Sequence, residues 1–150
     1  MHIRTAIREN VKAALTGIEA VDGRVFSSRI SAFEDHELPA IIVSTPTDTV
    51  SLLNTSPVRP RVQRRDQTID VVIVASATDS LDDDLDELAE QVEAKMQVDP
   101  TLGVQATNLE LRGNQSTVIG DGSEMRGVLK LNYSVTVSTR EGAPKSIHAQ

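Results

Sequence analysis

The chain has no cysteine and no tryptophan, and its rings are confined to Phe26, Phe33 and Tyr133. Without cysteine there can be no disulfide framework and no thiolate metal site. So few aromatics argue against a stacking platform for single-stranded nucleic acid, and the core must be built from Val, Ile, Leu and Ala. No apolar run approaches the roughly 18–20 residues of a membrane span, and the first residues lack the apolar region of a signal peptide. A soluble, cytoplasmic protein with no membrane partner is the expectation. Positive charge is also short: 15 Lys and Arg stand against 22 Asp and Glu, a formal net charge of −7. Wholesale binding along a nucleic-acid backbone is therefore disfavoured.

What charge there is sits unevenly. Arg59, Arg61, Arg64 and Arg65 crowd into "RPRVQRR", while six acids fall between Asp79 and Glu87. A chain polarised in this way is suited to docking on copies of itself or on a complementary partner.

With 150 residues, the chain has the size of one domain. Ile3, Ile7, Val11, Leu15 and Ile18 step at helical spacing and predict an amphipathic helix, closed by Gly17 and the turn Asp22-Gly23. Arg24 to Ile30 reads as a short strand. "LPAIIVST" reads as a second, entered at Pro39 and closed at Pro46. Thr47 to Pro60 shows no clean period and reads as a loop. "QTIDVVIVASA" alternates strictly, as a strand that begins near Val62.

A helix from about Leu81 to Val98 follows, its stripe formed by Leu81, Leu85, Leu88, Val92 and Met96. Asp99-Pro100 ends it. Two strand-like runs, Ala106 to Ile119 and Met125 to Thr139, flank the hairpin signal Asp121-Gly122. The order α-β-β-β-α-β-β predicts an α+β fold: a mainly antiparallel sheet of about five strands with two helices packed on one face. Residues 1–140 form the single domain in this reading, and "EGAPKSIHAQ" (141–150) is a flexible tail.

The acidic stretch tests whether the chain is an enzyme. Asp82, Asp83, Asp86, Glu87, Glu90 and Glu93 fall off the leucine stripe, toward solvent. Ser80 is placed to cap the helix, with Asp83 as in a capping box, and the first-turn acids complement the helix dipole. A calcium loop would need alternating ligands and a glycine that are not there. His36, in "EDHEL", has no second histidine or cysteine beside it. "STPTDTVS" matches no nucleophile elbow, and Gly113, Gly120, Gly122 and Gly127 suit hairpins better than a phosphate loop. No catalytic, cofactor or metal residue is assigned. The different-class alternative is a small metal-dependent enzyme using Asp82, Asp83, Asp86 and His36; a ligand-binding module is a third. The arginine group reads as a charged strand edge that blocks unwanted pairing, as a contact with a partner, answering the acidic helix of a neighbour, or, third, as a contact with nucleic-acid phosphates.

Three stretches carry a resemblance. They are the helix "IRTAIRENVKAALTG" leading to "ELPAIIVST"; the strand-then-helix "TIDVVIVASATDSLDDDLDELAEQVEAKM"; and "DPTLGV" before a C-terminal hairpin. In this order, over roughly residues 3–139, they resemble the tail terminator family of long-tailed phages, the lambda-like minor tail proteins. The resemblance implies a structural assembly protein without catalytic residues or cofactors. It forms a homo-oligomeric ring, usually a hexamer, that caps the tail tube protein and stops its polymerisation. The opposite face receives the head-tail connector or neck protein, and DNA passes through the lumen without specific binding. Its place would be the virion tail or neck, assembled in the host cytoplasm. Contacts of ring and tube would fall within Thr47 to Arg65. The interface residues implied are Arg59, Arg61, Arg64, Arg65, Leu52 and Leu53, with Asp83 and Asp86 on the acidic helix. A head-tail adaptor of the same assembly is the near alternative.

Overall fold

The computed structural model describes residues 1–27, 29, 33–53, 57–120 and 125–146. Among them, two helices lie on one face of a seven-stranded, mostly antiparallel sheet, an α+β fold with two strands more than the sequence suggested. Helix α1 (Ile3–Leu15) buries Ile3, Ile7, Val11 and Leu15, the stripe its spacing demands. It stops at Thr16 rather than running to Ile18, and Ile18 is buried in extended backbone ahead of a 3-10 turn, Glu19–Val21. Helix α2 (Leu81–Met96) buries Leu81, Leu85, Leu88, Val92 and Met96.

The strands are β1 (Val25–Ser27), β2 (Ala40–Ser44), β3 (Asp48–Leu52), β4 (Val62–Ser76), β5 (Thr107–Ile119), β6 (Arg126–Arg140) and β7 (Ala143–Ser146). The sheet runs β1-β2-β4-β6-β5, with β3 also on β4 and β7 also on β6. Only β1 and β2 pair in parallel. Long β4 and β6 form the backbone of the fold, in unbroken register from Val62↔Arg140 to Ser76↔Arg126. Their alternation sends Ile69, Val71, Ile73, Leu129, Leu131, Tyr133, Val135 and Val137 beneath the helices, where all are buried.

Three expectations change here. Thr47 to Pro60 is not all loop, because β3 continues the line of β2 along β4. Ser44 faces Asp70 and Asp48 faces Gln67, so residues 45–47 oppose only 68–69. That one-residue bulge breaks the alternation and hides the strand from a periodicity reading. The tail from residue 141 is not loose throughout. The chain turns at Glu141-Gly142, with Gly142 at a φ of 74°, and β7 pairs back on β6. Ser80 does not cap α2 through its side chain: its φ of −105° and ψ of 21° lie away from the extended geometry a cap needs, and Oγ lies 3.2 Å from the Asp84 carboxylate instead.

The first strand covers Val25–Ser27, shorter than read, and the hairpin signal Asp121-Gly122 lies outside the described residues. Gly127 serves packing rather than a turn. A Cβ there would come within 2.5 Å of a Leu81 methyl, so the glycine lets α2 start close against β6.

Candidate assembly surfaces

The four arginines of "RPRVQRR" lie around the β3–β4 hairpin, and each has an acid within the chain. Glu141, in the turn between β6 and β7, accepts hydrogen bonds from the Arg61 backbone N–H at 2.8 Å and from its Nε at 2.9 Å. The same carboxylate accepts from Arg61 Nη2 at 3.2 Å and from Arg59 Nη1 at 3.0 Å. The Arg61 side-chain hydrogen bonds, and next the backbone N–H, hold the Glu141 pKa down to about 2. One carboxylate thus serves two guanidinium groups, and Arg59 remains 68% exposed.

Arg65 is inside. Its Nη1 pairs with Asp48 and its Nε donates to Thr139 Oγ1 at 2.9 Å. Its side chain and that of Asp48 are 12% and 14% exposed. Arg65 therefore ties β3, β4 and β6 together across the sheet. Arg64, on the opposite face, reaches Asp66 at 3.1 Å and stays half exposed. Arg61 and Arg65 are thus structural cations, while Arg59 and Arg64 retain surface for a partner.

Beyond these pairs the hairpin exposes apolar side chains. Asp48, Val50 and Leu52 alternate onto the helix-bearing face, opposite Gln67, Arg65 and Gln63 of β4. Among the described residues Val50 and Leu52 of that row are 43% and 42% exposed, and Leu53 and Val58 beyond it 54% and 75%. Leu52 and Leu53 are thus both open to solvent.

The acids gather at the other end of the strands. Asp82, Asp83, Asp84, Asp86, Glu87, Glu90 and Glu93 are exposed on α2, with Asp79 just before it. Eight carboxylates against Lys95 give this segment a charge equal to the −7 of the whole chain. Among the described residues none of the eight lies in an ion pair. Asp79, Asp82 and Asp83 share a shallow depression with Val118 of β5. Val118, Ile119 and Met125 at that end are 51%, 51% and 38% exposed.

The carboxylates and histidine of the metal-enzyme alternative are not brought together. His36 sits on a separate 3-10 turn, Asp35–Glu37, 77% exposed and 3.5 Å from Glu34. It lines a different groove, of about 970 Å³, floored by Ile42, Val72, Val74 and Val128 of the helix-free face. Among the described residues no three His, Cys, Asp or Glu side chains group as a metal site, and no helix is long and apolar enough to cross a membrane. Beside His36, Glu37 is held near pKa 2, chiefly by hydrogen bonds from Arg29 at 2.9 and 3.1 Å. Arg29 also lies over the Phe26 and Phe33 rings, 4.9 and 4.1 Å from their centroids, and so fastens this turn to β1. This small aromatic clamp left no signal in the sequence, since the residues lie far off any period.

No family model matches the chain, and no curated protein matches it. Among solved structures the chain is similar to one in the virion of a native gene transfer agent particle, with 11% sequence identity, coverage of 90% of this chain and 94% of that chain, and a TM-score of 0.45.

Proposed function

We propose that the chain is a structural virion assembly protein of the tail terminator type: a ring that caps the tail tube, stops its growth and offers the opposite face to the head's connector. The observation that carries the reading is the hairpin β3–β4. Within the span 47–65, which the resemblance assigns to ring and tube contacts, β3 and the start of β4 pair, braced by ion pairs, and Val50, Leu52 and Leu53 are open to solvent. Rigid bracing by Glu141 and the Arg65–Asp48 pair suits a surface that must dock without reordering. The order of segments that carries the resemblance is kept in the fold, with β3 and β7 added to it. A protein that works this way needs neither cofactor nor metal, only copies of itself and two neighbours on the particle.

Electron microscopy of particles made without the gene tests the role. Overlong tails are the expected result. Tails of normal length that stay unattached to heads would overturn the terminator reading in favour of a head-tail adaptor.

A further inference from the structure

We infer that copies of this chain join head to tail through the two ends of the sheet. The β3–β4 hairpin of one copy seats on the β5 end and the acidic start of α2 of the next. The inference deepens the ring reading and rests on it for closure of the ring; the contact itself rests on three features.

The first is uncovered apolar surface at both ends. Leu52 and Leu53 project from one end, and Val118 and Ile119 from the other. Isolated exposed apolar residues are ordinary on a monomer; apolar side chains at both ends of one sheet, with groups of opposite charge beside them, are the arrangement that a heterologous contact requires.

The second is charge. Among the described residues the hairpin carries Arg59, which shares Glu141 with Arg61, and the half-exposed Arg64, paired with Asp66. The receiving end carries Asp79, Asp82 and Asp83, none of them in an ion pair within the described chain. One guanidinium in excess of its acid, from Arg59 and Arg61 on Glu141, stands at one end and unanswered carboxylates at the other, so the partner that fits each end is another copy of the same chain.

The third is geometry. The ends are separated by the length of β4, 15 residues, or roughly 45 Å. No chain can satisfy its own ends at that distance. Two unlike patches on one molecule give a head-to-tail contact, which closes into a ring when the rotation per copy divides the circle and otherwise grows as a filament.

The absence of cysteine offers a direct test. A chain carrying both Leu53→Cys and Val118→Cys cannot form a disulfide within itself. Under mild oxidation it should give a ladder of covalent oligomers on a denaturing gel, and each single variant no more than dimers. Charge reversal tests the same contact without cysteines. Arg59→Glu with Arg64→Glu, and separately Asp82→Arg with Asp83→Arg, should each shift the assembled mass in light scattering to monomer. Mixed in equal amounts, the two variants should reassemble, because each repaired end meets its reversed counterpart.

Absence of the ladder, with assembly unchanged in both charge variants, would overturn the head-to-tail contact and leave the ring reading standing. A ladder with open filaments in place of rings would support the contact and overturn the ring. A wild-type chain that stays monomeric at high concentration, together with no ladder from the double-cysteine variant, would overturn both.

Discussion

At the scale of single residues, Glu141 is the most consequential side chain outside the core. It clasps the loop end of the β3–β4 hairpin from a position 80 residues away in sequence, which is why no local reading of "RPRVQRR" could find the partner of its arginines. Glu141→Gln should loosen that end and speed tryptic cleavage after Arg61 and Arg64 several-fold, with far-ultraviolet circular dichroism unchanged. Cleavage at the wild-type rate would show that the clasp restrains nothing. The pH dependence has a definite sign. Folding lowers the Glu141 pKa from 4.5 to about 2, so its stabilising contribution is complete above pH 4.5 and is lost as pH falls toward 2. Protection of the hairpin from acid proteases should fade across that window. The individual arginines were visible in the sequence as a cluster. Their division into two held inside and two left at the surface was not, because it depends on which acids the folded sheet delivers.

At the scale of elements, periodicity found the helices and the strands β4 and β6 because burial on one face imposes it. The α2 stripe from Leu81 to Met96 is buried as its spacing requires, and the acids between are in water. Leu85→Ala should therefore cost about 2–5 kcal/mol in urea unfolding, while Asp86→Asn, exposed one residue away, should stay within about 0.5 kcal/mol. Equal losses would mean that the helix is held by its charges rather than its leucines. The two strands that went unread, β3 and β7, are short and lie against long partners. "DTVSL" alternates, but its apolar side chains lie beyond α1 and face solvent, so burial never marked them. β7 has a proline within four residues and is positioned by the Glu141-Gly142 turn. For such elements the partner strand supplies the order, and only the partner reveals them.

At the scale of the whole molecule, the distribution of charge matters more than its sum. Each copy carries −7, so copies repel at long range, yet the proposed contact pairs Arg59 and Arg64 with carboxylates at close range. The two effects respond differently to salt. The Debye length is roughly 30 Å at 0.01 M, 10 Å at 0.1 M and 3 Å at 1 M. At 0.01 M the full charge of one copy is felt across the width of another and opposes association. Near 0.1 M that repulsion is mostly screened, while ion pairs only a few ångströms apart still attract. By 1 M the pairs are weakened as well, and the apolar contact of Leu52 and Leu53 with Val118 and Ile119 has to hold alone. Self-association followed by sedimentation should therefore pass through a maximum at intermediate ionic strength and decline on both sides. A steady rise with salt would mean that the contact is apolar only and that the arginines play no part. A steady fall would mean that net repulsion is negligible against the local pairs. In Arg59→Glu the maximum should vanish and association should climb with salt throughout, because that variant keeps the repulsion and loses the attraction it was set against.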